Sequence, residues 1–428
     1  VRYGFVPYST NVNSAALLSD DWVVDSWTYQ SRKLVGTGST SGTISFWAVG
    51  SVIGGTLNST IAATYPAIAG GGGLVCSAPP VNTRTFTWTL IGTTNQPFAG
   101  PPAGTITRQT YDYVYNGSIY TVKLNGNTCE VHQDQYVNYK IRYDWVTQPA
   151  LAKSSRWQYS PETYDVSAWR TGALGCMEEP DTYEIDDYEN VDLSRAKDLD
   201  LDFVPVPGDS SSQFRPMYPG YVYGRAMKWD NTGSFNTTTV TTTDEYYNPK
   251  IGDTAHCPNP ARRLDEMSAS DITSYLGTLK VGGSTYHDIG MLWAARLLVP
   301  SGMFGADNAD VSANQPTSRH LIFMTDGQTS SLDLSYTGYG FEPLDRRRWS
   351  PGSSRTLTQT VEDRFSFICE EAKKRNITVW VVAYGTQLNP IMETCAGPGH
   401  FFEAADGDEL AAAFTKIAGN IADLRLMK

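Results

Sequence analysis

Asp326 follows the apolar run RHLIFMT (319–325) and precedes Gly327, and Thr285 ends a Val281-Gly282-Gly283-Ser284 turn just ahead of the segment 286–298. In an open α/β sheet, ligands bind at the carboxyl ends of the strands, near the point where strand order reverses. A carboxylate and a hydroxyl converging there are hard oxygen donors, suited to a divalent cation either directly or through water. Each is also ordinary by itself, since Asp-Gly is a turn and Thr an N-cap. His287 and Asp288 come next in the chain, where polar side chains serve the exposed amides of a helix start. Glu362 and Asp363 fall on a helix face turned to solvent. None of the five histidines stands with a Ser or Cys in a nucleophile motif such as GxSxG, so the chain reads as non-enzymatic. Eleven acidic residues lie between Glu178 and Asp202 without the DxDxDG core of an EF-hand, and read as a solvated loop rather than a calcium site.

The elements that must hold these residues change character along the chain. Val1–Tyr8 (VRYGFVPY) reads as a short buried strand. From about 25 to 248, Ser, Thr, Gly and Tyr dominate, with short alternating segments such as RTFTWTLI (84–91), YDYVY (111–115) and YVNYKIRYDWV (136–146). Asn116-Gly117 between two of them signals a two-residue hairpin turn. From about 261, helical spacing (Ile289, Leu292, Trp293, Leu297; Val361, Phe365, Ile368, Ala372; Leu410, Phe414, Ile417, Ile421, Leu424) alternates with the apolar runs 319–325 and ITVWVVAY (377–384). That alternation predicts an open, mostly parallel α/β sheet flanked by helices, joined by the N-terminal strand and interrupted by a large β-rich insertion. The domain boundaries follow as 1–24 and 261–428 for the α/β part and 25–260 for the insertion.

Composition narrows the partners. With 428 residues and a net charge of −12, the chain would repel a phosphate backbone, which excludes nucleic acid. Charged residues are only 18% and hydrophobic ones 40%, a balance suited to a folded extracellular surface. Six cysteines without metal spacing favour disulfides and an oxidising compartment. Cys369 precedes and Cys395 follows the 377–384 strand, which makes them the preferred pair; the other four allow three pairings, of which Cys76 with Cys129 and Cys176 with Cys257 is the simplest. No run of 18 apolar residues is present, and a chain starting at Val1 reads as a processed or trimmed piece.

Thr285 and Asp326, in this order, resemble two elements of the metal-ion-dependent adhesion site of von Willebrand factor type A domains. RYGFVPYSTNVN at the start, GCMEEPDTY at 175–183, GGSTYHDIGMLWAARLLVPSGMF at 282–304 and the tail from Ile377 through CAGPGHFFEA to IADLRL resemble the TadG-like proteins of bacterial tight-adherence (Flp-type) pili. The resemblance implies Mg²⁺ or Ca²⁺ held by Thr285, Asp326 and a DxSxS motif after a first strand. That strand and motif are missing from this chain: Asp310–Asn314 gives DxSxN, and Asp333–Thr337 gives DxSxT but lies after Asp326. The slot would then be filled by a missing N-terminal segment or a partner chain. It further implies a secreted adhesion or assembly component, exported through the periplasm and placed at a pilus tip, contacting other pilus subunits and a host or abiotic surface. The Tyr- and Trp-rich insertion would offer a broad contact surface. The alternative is a structural minor subunit or scaffold whose metal site is vestigial.

Overall fold

A computed structural model of the chain describes residues 1–48, 50–70, 73–100, 102–225, 235–310, 317–387 and 389–426. The chain forms two compact units, Val1–Val35 with Arg156–Lys428, and Gly36–Ser155. The expected open, mostly parallel sheet does not form. Strands make up 40% of the chain and helices 22%, and most pairings are antiparallel, in several sheets.

Among the described strands of the first unit, parallel ladders join three, in the order Arg319–Thr325, Ile377–Tyr384, Phe401–Ala404. The central strand is rich in β-branched residues and buried along nearly all its length, as a run covered on both faces should be. Helices His287–Leu298 and Leu357–Lys374 cover one face and build the main core with Leu321, Phe323, Val379 and Val381. Thr356 starts the second of these helices, its hydroxyl accepting from the Gln359 amide in a capping box. On the opposite face, helix Gly407–Leu426 packs Ile417 against Trp380 and Val382, while its Phe414 points outward. Leu424 belongs to this helix, but its side chain lies outside the described residues, as do 311–314 of the DxSxN sequence.

The N-terminal segment departs from expectation. Only Tyr3–Phe5 is strand, largely exposed, and it pairs antiparallel with Arg262–Asp265 instead of joining the parallel sheet. Pro7, which has no amide to donate, stops the run, and Tyr8 and Val12 then bridge across a turn. Between Asp165 and Arg262 the described elements are short, and Trp169, Ile185, Leu199 and Phe214 from this stretch enter the main core. The two compact units accordingly divide at 35/36 and 155/156.

The second unit is built on long antiparallel strands: Ser51–Pro66 and Gly104–Asn125 flank Thr128–Asp165, and Thr85–Phe98 pairs with the outer side of Gly104–Asn125. Asn116-Gly117 makes no hairpin. The strand runs straight through it, with a register shift, Gly117 at φ 93°, and the carbonyl oxygen of Thr83 only 2.3 Å from where a Cβ would stand. The chain reverses instead at Gly126-Asn127, with Gly126 at φ 61° and Asn125 opposite Thr128.

Candidate functional site

The structure does bring Thr285 and Asp326 to one corner. The strand Arg319–Thr325 delivers Asp326 at its carboxyl end, exposed. Thr285 bridges Ser330 through both backbone hydrogen bonds (3.2 and 3.0 Å), and its Oγ1 lies 3.9 Å from where a Cβ on Gly327 would stand. Hydroxyls line the same corner: the Ser284 amide donates to Thr10 Oγ1 at 3.0 Å, and the Thr325 hydroxyl donates to the Gly327 carbonyl at 3.0 Å. Beneath it His287 is buried, with Nδ1 2.9 Å from Thr329 Oγ1 and Nε2 3.1 Å from Thr325 Oγ1. Burial lowers its pKa to about 4, so the imidazole is neutral near pH 7. Among the described residues no group of three or more His, Cys, Asp or Glu is placed to hold a metal. The side chains of Thr285 and Asp326 offer at most three oxygens where Mg²⁺ asks for six and Ca²⁺ for six to eight. The pair does not fit an ion by itself.

The neighbouring acids have other partners. Asp288 is buried and paired with Arg348, which also meets Glu342 at 2.7 Å. Arg364 lies between Asp288 (3.7 Å) and Asp198, and the Tyr339 hydroxyl donates to Asp198 at 3.0 Å. Glu179 pairs with Arg296 at 2.7 Å and accepts from the Trp293 indole at 2.8 Å. Glu178 accepts from the Tyr336 hydroxyl at 2.7 Å and pairs with Arg347 at 3.2 Å; burial pushes its carboxyl up to about 7. The expected solvated acidic loop is therefore only partly solvated. Glu178, Glu179 and Asp198 are buried counterions of arginines that come from 296 to 364, a distance along the chain that local sequence cannot convey. Asp363 pairs with Arg355 at 2.7 Å, and Glu362 accepts from Asn389 at 2.9 Å.

A second candidate lies wholly within the 36–155 unit. Residues directly opposite in neighbouring strands share a face. Phe86 stands opposite Tyr115, Trp88 opposite Tyr113 and Leu90 opposite Tyr111; Tyr113 faces Ile141 and Tyr111 faces Tyr143 on the other side. Trp47 adds its ring to this face, 4.9 Å from Trp145 and 5.5 Å from Tyr111. The intervening residues form the reverse face, which holds the charges: Arg142 with Asp112 at 2.7 Å, and Arg108 with Asp144 at 2.6 Å. Trp88 is 58% exposed, Phe86 56% and Trp47 48%. The period-two spacing of these aromatics was visible in the sequence; the cross-strand pairing that gathers them, and the missing cover, were not.

All six cysteines are paired, as Cys76–Cys129, Cys176–Cys257 and Cys369–Cys395. Such pairing belongs to an oxidising, extracellular environment. No family model, curated protein or solved structure matches the chain.

Proposed function

We propose that the chain is a secreted, non-enzymatic adhesion or assembly component of a bacterial tight-adherence pilus, and that the aromatic face of its 36–155 unit is the contact surface. One observation carries the contact reading: a broad, uncharged face of Trp, Tyr and Phe stays open to solvent in a disulfide-bonded protein. Contiguous exposed apolar surface marks interaction sites, and aromatics are enriched at their centres. The pilus connection rests on the resemblance of the end blocks. In cells that carry the gene, an allele with Trp47→Arg and Trp88→Arg is expected to lose attachment to an abiotic surface, or to lose surface pili, at unchanged export of the chain. Attachment and piliation at the original level, with the variant exported, would overturn the reading.

The structural-subunit reading has its own support. Among the described residues Arg319–Thr325 pairs on one side only, with Ile322 38% and Met324 46% exposed. A strand contributed by a partner chain would pair along that free edge.

A further inference from the structure

We propose that Cys257 is a site of S-thiolation: a low-molecular-weight thiol enters the cleft beside the Cys176–Cys257 disulfide, exchanges into that bond, and frees the loop that holds the Thr285 turn.

The first ground is access. A cleft of about 280 Å³ opens between Leu174, Lys250, Asp253, His256 and Cys257. Cys257 is half-buried, and its Sγ lies 3.5 Å from the carbonyl oxygen of Leu174, whose side chain is exposed on the cleft wall. Cys176, the other half of the bond, is buried among Val24, Val166 and Met217. Cys369 and Cys395 are both buried. In the first unit a thiolate therefore finds its opening at the Cys257 sulfur.

The second ground is charge. At −12 the chain as a whole repels an anionic thiol. In the cleft Lys250 offsets Asp253, which lets such a thiol approach.

The third ground is what the bond holds. Cys176 bridges Asn13, and Cys257 draws the loop 253–258 onto the same N-terminal segment. The Asn11 side-chain amide donates to the His256 carbonyl at 3.3 Å, and that of Asn13 to the Pro258 carbonyl at 3.1 Å. The His256 ring lies so close against the Gly282-Gly283 turn that a Cβ on Gly282 would collide with it. That turn leads into Thr285, and the Tyr286 amide beyond it donates to the Ser9 carbonyl at 3.1 Å. The disulfide is the covalent member of a clamp made otherwise of neutral hydrogen bonds and packing.

The step is an exchange. The thiolate attacks Cys257 Sγ, a new S–S bond forms there, and the bonding pair leaves on Cys176 Sγ, which takes up the proton that the incoming thiol released. The incoming sulfur is oxidised to the disulfide level and Cys176 is reduced to the thiol. A thiol in apolar surroundings holds its proton and is a weak nucleophile, so the mixed disulfide on Cys257 persists instead of closing again.

To test this, the folded full chain is incubated with glutathione or with cysteamine, quenched in acid, alkylated with N-ethylmaleimide and mapped by peptide mass spectrometry. The thiol adduct is expected on Cys257 and the alkyl group on Cys176, at least about 10-fold faster than Cys369–Cys395 opens, since access governs exchange. Lys250→Glu should slow glutathione at least about 3-fold and leave cysteamine, whose thiolate carries no net charge, unchanged. In the thiolated protein, amide hydrogen exchange should rise at 254–257 and 284–286 and stay as it was at 377–384. An adduct on Cys176 in place of Cys257, or opening no faster than that of Cys369–Cys395, would overturn the proposal. So would a glutathione rate indifferent to Lys250→Glu, or unchanged exchange at 284–286 once Cys257 is thiolated.

Discussion

The two units solve the problem of a folded surface in opposite ways. In the 1–35 and 156–428 unit, Arg348 and Arg364 are buried in full and matched by Asp288, Glu342 and Asp198, and Trp293 is buried with its indole bonded to Glu179. In the 36–155 unit, Arg108 and Arg142 lie on an open sheet face while Trp47 and Trp88 face water. Charges inside and rings outside invert the usual order, in which charged groups are almost never fully buried unless paired. The comparison teaches where each unit's stability resides. The first unit depends on packing and on a network of paired buried charges, several of them brought together from far apart in the chain. The second depends on backbone ladders and on Cys76–Cys129.

Breaking the buried network tests the comparison most severely. Arg348→Met strands Asp288 and Glu342 and is expected to destabilise the first unit by about 3–5 kcal/mol, read by urea unfolding. An effect below about 1 kcal/mol would mean that those carboxylates find other partners.

Titration sharpens it. The folded pKa of Glu178, about 7, lies above the ordinary 4.5, so its contribution to stability is complete below pH 4.5 and is lost as pH rises through 7. His287 has the opposite sign: its folded value of about 4 lies below 6.5, so stability is lost as pH falls from 6.5 through 4. Between pH 4.5 and 6.5 the two slopes oppose each other, each at most about 1.4 kcal/mol per pH unit. In denaturation midpoints measured across that window, Glu178→Gln should tilt the profile toward greater stability at higher pH, and His287→Asn toward lower. Parallel profiles for both variants would contradict the assigned burial.

The smallest effect is expected at the exposed rings. Trp88→Ala should change the unfolding of the 36–155 unit by no more than about 0.5 kcal/mol, since an exposed side chain loses little when truncated. A large loss would show that the ring is covered in the isolated chain.

How much of this was legible beforehand depends on the range of the interaction. Helical spacing located Val361, Phe365, Ile368 and Ala372 on a buried face, and the run 377–384 announced a strand covered on both sides. The meeting of Thr285 with the Asp326-Gly327 turn followed from strand ends and loops. What failed was pairing at long separation. Nothing near Tyr3–Phe5 specifies Arg262–Asp265 as its partner, and nothing near Glu179 announces Arg296. The alternation of helices and apolar runs therefore reads as one open, mostly parallel sheet over 1–24 and 261–428, whereas only three strands there form a parallel sheet and antiparallel ladders dominate the chain. Asn116-Gly117 misled for a related reason: a glycine at positive φ serves a bulge as well as a turn, and the ladder on either side decides which.

Close to the unit boundaries, the outgoing and returning strands are fastened before either leaves the first unit. Arg32 lies 3.8 Å from the Trp157 ring centre and 4.2 Å from that of Tyr223, Lys33 meets Glu162 at 3.2 Å, and Thr28 and Thr163 share a hydrogen bond of 2.7 Å. Such a clasp holds the two strands together where they leave the first unit, so the 120 residues beyond it hang on a root that is already closed, and a substitution or a change of strand length among them leaves the contacts of that root in place.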